Sequence, residues 1–401
     1  MIQVAILGFG TVGSGVAEVI QQNGSLIDRQ VANEIRLKYI LDVRQFPDSP
    51  FAGLFVSDFS VIEQDPEVDV VVETIGGATV ALDFTRRALA AGKSVVTSNK
   101  ELVATHGYEL LQLAREKDVS YLFEASVGGG IPIIRPISQC LAANQITGIT
   151  GILNGTTNYI LTRMIRAGLS FQDALKEAQE KGYAERDPSA DIEGHDACRK
   201  ICILASLAFG RHIYPDQVPT EGITNITLTD VGYAGQGGYR IKLLGRALRR
   251  EDGRVCAYVA PHLVEESSPL ANVEDVFNAI LVQGNAIGEA MFYGRGAGKL
   301  PTASAVVADV MDAARHLNSR KYIGWEQGGP DAVYDADTLA CRWYVRVQNR
   351  QAEAAARLPD ARFLTPPDCA ETVLLTPAFT RAALEEKLAG LVSLAVIRVL
   401  D

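Results

Sequence analysis

One stretch of the chain, residues 185–200, places three carboxylates that could take part in chemistry ahead of one amine. Glu185 and Asp191 come first, and Asp196 stands four residues before Lys200. Side chains four residues apart share one face of a helix. The residues after Lys200 are almost wholly apolar, which is typical of a buried helix. The pattern predicts an ion pair where a helix enters the interior. Desolvating such a pair costs free energy, so we favour a catalytic role over the alternative of a structural ion pair.

A glycine-rich loop follows the first apolar run of the chain. Residues 2–7 have the composition of a buried parallel strand, and Gly8-Phe9-Gly10-Thr11-Val12-Gly13 comes directly after it and opens a helical stretch. In a dinucleotide site the first glycine permits a tight turn, the second lets the pyrophosphate approach, and the third lets helix and strand pack closely. We therefore predict a dinucleotide site, the alternative being a structural glycine turn.

The tip of the second predicted strand bears on the choice between NAD and NADP. Asp42 could accept hydrogen bonds from a ribose 2′-hydroxyl, which suits NAD. Arg44 could pair with a 2′-phosphate, which suits NADP. Because both residues are present, the sequence leaves the preference open.

Three further polar or glycine-rich stretches are candidates for ligand contact. Lys100 follows a predicted strand, at the sheet edge where ligands bind, although a solvated surface lysine is the alternative. The glycines at 128–130 could turn backbone carbonyls towards a hard cation or could form an interdomain turn. The patch 154–158 offers small hydrogen-bonding groups or merely caps a helix.

Length and charge limit the classes of function. A chain of 401 residues is long enough for two or three domains, and its net charge of −10 argues against nucleic acid as a partner. No stretch has the length and polarity to span a membrane, and the first residues do not resemble a secretory signal. We expect a cytoplasmic protein without a membrane partner.

The order of predicted elements indicates an α/β protein with a Rossmann-type doubly wound parallel sheet. Strands at 2–7, 35–41, 69–75 and 94–97 alternate with helices, among them 79–91 and 107–117. We assign 1–125 to a dinucleotide-binding domain, completed by about 300–320, where a helix is predicted at 302–317. A second α/β domain, for catalysis and dimerisation, covers 126–300. The tail, 335–401, has the order βαββαβ.

Taken together, these stretches resemble the homoserine dehydrogenase family over about residues 1–320. The shared pieces are Gly-Phe-Gly-Thr-Val-Gly at 8–13, Val-Val-Glu-Thr-Ile-Gly-Gly at 71–77, Thr-Ser-Asn-Lys at 97–100, Glu-Ala-Ser-Val-Gly-Gly-Gly-Ile-Pro at 124–132, Gly-Ile-Leu-Asn-Gly-Thr-Thr-Asn-Tyr-Ile at 151–160, the segment 182–200, Thr-Glu-Gly-Ile at 220–223 and Gly-Ala-Gly-Lys-Leu-Pro-Thr at 296–302. The resemblance implies reversible reduction of L-aspartate 4-semialdehyde to L-homoserine with NADH or NADPH, on the route to threonine, methionine and isoleucine. It also implies a homodimer or higher homo-oligomer.

The resemblance further implies roles for individual residues. Lys200 matches the family's acid/base residue, Asp196 its partner in the substrate site, and Lys100 a lysine between cofactor and substrate. The implied substrate contacts are Glu185, Asp191, Asp196, Tyr183 and Thr156. The implied cofactor contacts beyond the glycine loop are Ile75, Lys100, Gly182, Gly296 and Gly298. The implied site for a monovalent cation, typically sodium, uses the backbone carbonyls of Glu124, Val127, Gly129 and Ile131.

The chemistry of the reaction agrees with these roles. Hydride delivery to an aldehyde builds negative charge on its oxygen, which a lysine ammonium can stabilise and protonate. Two alternatives were weighed: another Rossmann dehydrogenase of a small amino acid or semialdehyde, and a non-catalytic sensor of dinucleotide and amino acid. The tail resembles a short ACT-type ligand-binding domain, but residues 348–357 depart from that pattern. We therefore doubt threonine feedback and expect the tail to serve packing or dimer contacts.

Overall fold

The computed structural model describes residues 1–317, 323–348, 351–366 and 369–401. Its strands form two sheets, one wholly parallel and one mixed. None of the helices in these ranges is long and apolar enough to cross a bilayer. The two sheets confirm the predicted α/β class.

The parallel sheet has six strands in the order β3-β2-β1-β4-β5-β6. The strands are β1 Ile2–Leu7, β2 Ile35–Leu41, β3 Phe55–Val56, β4 Val68–Glu73, β5 Ser94–Thr97 and β6 Tyr121–Leu122. The chain starts at the centre and winds outwards first to one side and then to the other, so the strand order reverses between β1 and β4. Ligands bind at such a switch point in doubly wound sheets, beyond the carboxyl ends of the strands.

Helices cover both faces of the parallel sheet. They are α1 Thr11–Val31, α2 Ser60–Glu63, α3 Thr79–Ala90 and α4 Lys100–Glu116, together with α10 Lys299–Arg315 from late in the chain. Helix α10 packs against α1, and Val306 and Val310 share an apolar cluster with Val4 and Val70. The late helix thus forms part of the first structural layer.

Two helices begin earlier than predicted. Helix α4 starts at Lys100, where residues 97–100 are predicted to start a helix, and thus seven residues before the helical segment predicted at 107–117. The Asn99 side chain accepts a hydrogen bond from the Leu102 N–H and caps the helix there. Helix α10 starts at Lys299 instead of 302, directly after Gly298. In the parallel sheet, β4 ends at Glu73 instead of 75. The two earlier helix starts place the predicted site residues Lys100 and Gly298 at helix N-termini. The shorter strand leaves the predicted site residue Ile75 in the loop after β4.

The mixed sheet has nine strands in the order β11-β10-β7-β8-β9-β15-β12-β14-β13. The strands are β7 Ile146–Ile152, β8 Tyr239–Arg249, β9 Val255–Glu265, β10 Phe277–Gly284, β11 Gly288–Arg295, β12 Trp343–Gln348, β13 Arg362–Phe363, β14 Glu371–Leu375 and β15 Ser393–Val399. All described pairings in it are antiparallel except β9 with β15.

The helices of this second half include the one that carries the Asp–Lys pair. They are α5 Gly155–Ala167, α6 Phe171–Glu180, α7 Ser189–Ile192, α8 His195–Phe209 and α9 Leu228–Gln236. Helix α8 packs against β7, β8 and β9. Ten of its fifteen residues are buried, as the apolar run after Lys200 predicts.

The tail has the predicted order βαββαβ, with α11 Gln351–Arg357 and α12 Arg381–Leu388 between its strands. Its strands continue the mixed sheet, because Arg398 and Val399 of β15 pair with β9. The buried Arg346 also forms an ion pair with the buried Asp230 on α9. Residues 349 and 350, within the predicted departure from the ACT pattern, lie outside the described residues. Whether 335–401 is a separate domain stays a prediction.

Candidate active site

The glycine loop takes the shape that close packing between strand and helix requires. Gly8 has a φ of +90°, a conformation that side chains other than glycine rarely adopt. A Cβ on Gly13 would lie 1.9 Å from the Gly8 carbonyl oxygen, so only glycine fits there. Gly10 is the N-cap of α1 and provides no side-chain cap, so the N–H groups of the first helical turn face the loop. Such a helix N-terminus suits a phosphate.

Asp42 and Arg44 form a close pair at the carboxyl end of β2. Asp42 accepts hydrogen bonds from the Phe9 N–H at 2.7 Å and from the Arg44 Nε at 3.0 Å and Nη2 at 2.9 Å. The Arg44 guanidinium lowers the pKa of Asp42 to about 2. The Asp42 side chain is 5% exposed, whereas that of Arg44 is 58% exposed. The arginine is therefore the more accessible member of the pair.

A buried carboxylate that the sequence analysis missed lies at the end of β4. Glu73 accepts hydrogen bonds from the Thr97 hydroxyl at 2.6 Å and from the Ile75 N–H at 2.7 Å. Burial raises the pKa of Glu73 despite these donors. The contact joins the ends of β4 and β5 and leaves Ile75 exposed beside the glycine loop. The signal available in the sequence was an acidic residue inside an otherwise apolar strand.

Asp196 is the centre of the predicted cluster and pairs with two lysines. Its Oδ2 accepts a hydrogen bond from the Lys200 Nζ at 2.7 Å, as the four-residue spacing predicts. Its Oδ1 pairs with the Nζ of Lys100, the first residue of α4. The Lys200 Nζ also donates to the Leu153 carbonyl at 2.8 Å. The cluster thus joins the carboxyl edge of the parallel sheet to the helix over the mixed sheet.

Burial and charge act against each other within this cluster. Burial opposes the ionised form of Asp196, but the two ammonium groups hold the pKa of this carboxyl below its ordinary range. Burial lowers the pKa of the Lys200 ammonium, although Asp196 opposes the shift. Burial, together with the charge of Asp196, raises the pKa of Asp191. A lysine with a lowered pKa is suited to giving up and taking back a proton near neutral pH.

Asn154 connects the two buried acids. Its Nδ2 donates to Asp191 Oδ1 at 2.7 Å and to Asp196 Oδ2 at 2.8 Å. The sequence analysis placed Asn154 in a polar patch that binds a ligand or caps a helix. In the structure it also caps α5, because its Oδ1 accepts a hydrogen bond from the Thr157 N–H at 2.8 Å.

The remaining predicted substrate residues lie at the rim of the cluster. The Thr156 hydroxyl donates to the Tyr183 carbonyl at 2.7 Å, and the Tyr183 side chain is exposed. Glu185 is also exposed, and within the described ranges its carboxylate makes no hydrogen bond or ion pair. Gly182, with a φ of +72°, forms the turn before them. The structure therefore leaves the polar groups of Tyr183 and Glu185 free for a ligand.

The two later glycine clusters contact each other. The Gly130 N–H donates to the Arg295 carbonyl, and a Cβ on Gly129 would lie 2.4 Å from the Gly296 carbonyl oxygen. Gly298 follows with a φ of +132° and begins α10. The predicted cation loop thus packs directly on the loop that leads back to the dinucleotide-binding half.

The predicted cation loop is buried and held by an acid. The Glu124 carboxylate accepts hydrogen bonds from three successive backbone N–H groups, those of residues 133–135, at 2.6 to 2.8 Å. In the part of the chain that the structure describes, no N–H donates to the carbonyls of Val127, Gly129 or Ile131. Those ranges also contain no cluster of three or more His, Cys, Asp or Glu side chains suited to a metal. A cation here would depend on backbone carbonyls, which suits a hard ion.

Two family models together match most of the chain. Residues 8–124 match the family described as "Homoserine dehydrogenase, NAD binding domain", and residues 132–311 match "Homoserine dehydrogenase". The homoserine dehydrogenase of Pseudomonas aeruginosa is 44% identical over 355 residues, which are 86% of this chain and 82% of that protein. That of Bacillus subtilis is 42% identical over 320 residues, 79% of this chain and 73% of that protein.

Solved structures agree with the sequence matches. A crystal structure of a homoserine dehydrogenase from Thiobacillus denitrificans has a TM-score of 0.91 and 38% identity, covering 100% of this chain and 98% of that one. A hyperthermophilic archaeal homoserine dehydrogenase mutant, in complex with NADPH, has a TM-score of 0.66 and 28% identity, covering 78% of this chain and 97% of that one.

Proposed function

This chain belongs to the homoserine dehydrogenase family, and from that premise we propose which of its residues carry the reaction. It is an NAD(P)-dependent oxidoreductase that reduces L-aspartate 4-semialdehyde reversibly to L-homoserine. This activity replaces the two alternatives weighed from the sequence. The observation that supports the residue roles is the buried Asp196 carboxylate, which pairs with both Lys100 and Lys200.

Lys200 is the general acid of the reduction and the general base of the reverse reaction. A bound reduced nicotinamide supplies the hydride. The Lys200 ammonium has three N–H groups, of which one donates to Asp196 and one to Leu153, so the third remains for the substrate oxygen. As negative charge grows on that oxygen, Lys200 stabilises it and transfers a proton to it. In the reverse direction neutral Lys200 takes the proton of the homoserine hydroxyl.

Asp196 holds this acid in place, and Lys100 adds a second positive charge to the site. The Asp196 carboxylate keeps Lys200 oriented and balances its charge in a buried site. Lys100 is 41% exposed and lies at the carboxyl end of β5, between the dinucleotide loop and the acid cluster. Its second positive charge favours the developing alkoxide.

The acids at the rim recognise the amino-acid part of the substrate. The α-ammonium group of the semialdehyde needs a carboxylate, which Glu185 supplies with help from Asp191. Tyr183 and Thr156 line the same pocket.

The cofactor binds across the switch point of the parallel sheet. The loop from Gly8 to Gly13, with Phe9, Gly10, Thr11 and Val12, holds the pyrophosphate at the N-terminus of α1. Further contacts come from Ile75, Lys100, Gly182, Gly296 and Gly298.

We infer a preference for NADP(H) from the pair at the end of β2. The Asp42 carboxylate already accepts hydrogen bonds from Phe9 and Arg44, so few of its lone pairs remain for a ribose hydroxyl. The exposed Arg44 guanidinium suits a 2′-phosphate.

A monovalent cation, most suitably sodium, binds the backbone carbonyls of Glu124, Val127, Gly129 and Ile131. The support is that the loop is buried and that three of these carbonyls accept no hydrogen bond from the described residues. Such an ion would fix the contact between the loops at 124–131 and 294–298. Its chemistry would be structural, since no step of the proton transfer uses it.

A homodimer or higher homo-oligomer forms through the outer edge of the mixed sheet. Among the described strands β11 pairs only with β10, and Ile287, Met291 and Tyr293 along this edge are 43%, 40% and 53% exposed. A row of exposed apolar side chains beside an unpaired strand edge is typical of an association surface. The domain boundaries predicted from the sequence, the cytoplasmic location and the place in threonine, methionine and isoleucine biosynthesis belong to the same proposal.

The substrate assignment can be tested with an aldehyde that lacks the α-amino group. We expect the wild-type protein to reduce aspartate 4-semialdehyde far better than succinate semialdehyde, because Glu185 and Asp191 bind the ammonium. The Glu185→Gln variant should raise KM for aspartate 4-semialdehyde about tenfold or more, since a charge-assisted hydrogen bond is lost. The ratio of kcat/KM for aspartate 4-semialdehyde to that for succinate semialdehyde should fall. Equal use of both aldehydes by the wild-type protein would contradict the assignment.

A further inference from the structure

The turn between β7 and α5 places one amide side chain between the two buried acids of the active site. Asn154 is 5% exposed. Its Nδ2 donates to Asp191 and Asp196, while its Oδ1 accepts from the N–H and the hydroxyl of Thr157. The orientation of the amide follows from these partners, because a backbone N–H can only donate and the two carboxylates accept.

Asn154 and Lys200 share one oxygen atom. The Oδ2 of Asp196 accepts from the Asn154 Nδ2 at 2.8 Å and from the Lys200 Nζ at 2.7 Å. Two donors on one carboxylate oxygen divide its negative charge between them. The hold of Asp196 on the Lys200 proton is therefore weaker than it would be in an undivided ion pair.

The charged groups that face the Lys200 ammonium come from three helices. They are Asp196 on its own helix α8, Asp191 on α7 and Lys100 on α4. Leu153, the residue after β7, contributes its carbonyl, and strands β7, β8 and β9 behind α8 share an apolar cluster with the helix. Asn154 is thus the uncharged group that contacts both acids of this set.

We propose that Asn154 is a positioning residue of the reaction, whose amide shares Asp196 with Lys200 and holds Asp191 ionised beside it, and so sets how readily Lys200 releases its proton. This inference rests on the proposed role of Lys200. It deepens that role, because the acid strength of the lysine then depends on a neutral neighbour as well as on the two carboxylates.

The inference can be separated from the cap that Asn154 provides for α5. Serine and aspartate both keep an oxygen that can accept from the Thr157 N–H, and neither has an amide donor. In Asn154→Ser and Asn154→Asp the Asp196 Oδ2 no longer shares its charge with the amide, while Oδ1 stays paired with Lys100, so the ammonium form of Lys200 is stabilised. The pH at which aspartate semialdehyde reduction declines, and at which homoserine oxidation rises, should move up by roughly one unit, and at least as far in Asn154→Asp as in Asn154→Ser.

The experiment compares kcat against pH in both directions for the wild-type protein and the two variants. Ser170→Ala is the matched control, because Ser170 caps α6 by accepting from the Asp173 N–H, and its hydroxyl donates to Asp173 and not to Asp191 or Asp196. This control should lower the melting temperature without moving the pH profile. A lower kcat in the Asn154 variants with an unmoved profile would overturn the inference and leave only a cap. Failure of the proposed function would look different: the wild-type protein would not oxidise homoserine, or Lys200→Met would retain turnover.

Discussion

The dinucleotide loop and the lysine–aspartate cluster are built on opposite principles, although both adjoin the carboxyl edge of the parallel sheet, where Lys100 pairs with Asp196. The loop depends on backbone shape: Gly8 has a left-handed conformation and Gly13 leaves no room for a Cβ. The cluster depends on side-chain charge: Asp196 and Lys200 are both buried and balance each other. In the proposed function, the loop binds the cofactor by close approach of the backbone, and the cluster transfers a proton to the substrate.

This difference predicts how each region responds to change. Added volume should damage the loop, and its effect should not depend on pH. Removed or redistributed charge should damage the cluster, and its effect should appear in kcat and in the pH profile.

The largest effect is expected from removing the general acid. Lys200→Met should lower kcat about 10²–10⁴-fold, the range for a placed proton donor, while the protein still binds NADPH. The matched control is Lys242→Met, because Lys242 is also buried, and burial lowers its pKa to about 8, yet it contacts Val273 and Asn158 away from the cluster. That control should lose stability and keep its kcat within a few-fold. Near-normal turnover in Lys200→Met would show that Lys200 is not the general acid.

The next largest effects are expected at two glycines of the loop, Gly13 and Gly10. The first is needed for packing within the protein and the second for close approach of the cofactor. Gly13→Ala should lower both stability and cofactor affinity, because the new Cβ would meet the Gly8 carbonyl at 1.9 Å. The Cβ of Gly10→Ala would meet nothing within 4 Å among the described residues, so this variant should weaken cofactor binding and leave the melting temperature nearly unchanged. Thermal melts with and without NADPH, and a fluorescence titration of NADPH, measure both quantities. Equal stability losses in the two variants would contradict the distinction.

A smaller effect is expected at the end of β2, where the loop region does use a charge. Arg44→Leu should raise KM for NADPH about tenfold, because a charge-assisted contact to the 2′-phosphate is lost. KM for NADH should hardly change and serves as the internal control. An equal rise in KM for NADPH and NADH would show that Arg44 supports the loop as a whole and does not recognise the 2′-phosphate.

The smallest effect concerns the wild-type protein, in which the dependence of kcat on pH should be shifted to lower pH than for an ordinary exposed lysine. Reduction needs protonated Lys200 and should decline as pH rises through its pKa, which burial lowers from the usual 10.5. Homoserine oxidation needs the neutral amine and should rise over the same interval. KM for NADPH should stay flat there, because the pKa of Asp42 is about 2. A decline of reduction only at the pH of an ordinary exposed lysine would show that burial does not tune this group.

Much of the fold could be predicted from local patterns. The strands at 2–7, 35–41 and 94–97 appear within the bounds predicted for them. The first and third are buried along nearly their whole length, as expected of parallel strands that are covered on both faces. Helix starts were harder: α4 begins seven residues before the predicted 107, because its beginning depends on one side-chain contact from Asn99. Such a cap is a single hydrogen bond that leaves little trace in hydrophobic periodicity.

Part of the candidate site was equally predictable, and part was not. The Asp196–Lys200 contact follows from a spacing of four residues on a helix. The contacts of Asp196 with Lys100 and Asn154 join residues that are far apart in the chain. No periodicity in the sequence links these three residues. They meet because the N-termini of α4 and α8 and the carboxyl end of β7 come together in the fold.

The tail shows the same division at the level of strands. Its order βαββαβ could be read from the sequence, but its pairing partner could not. Strand β15 pairs in parallel with β9 and on its other side with β12. Arg346 on β12 thereby comes within reach of Asp230 and forms an ion pair with it. The use of the tail in packing or dimer contacts, without threonine feedback, stays a prediction.

By itself, the sequence determined the glycine loop, the alternation of strands and helices, and the Asp–Lys pair, because each is set by neighbours within a few residues. Only the tertiary structure decided that one carboxylate serves two lysines and an amide, and that the tail extends the mixed sheet. These contacts depend on where separate elements end in space, and the free energy that holds them comes from burial shared by the whole core.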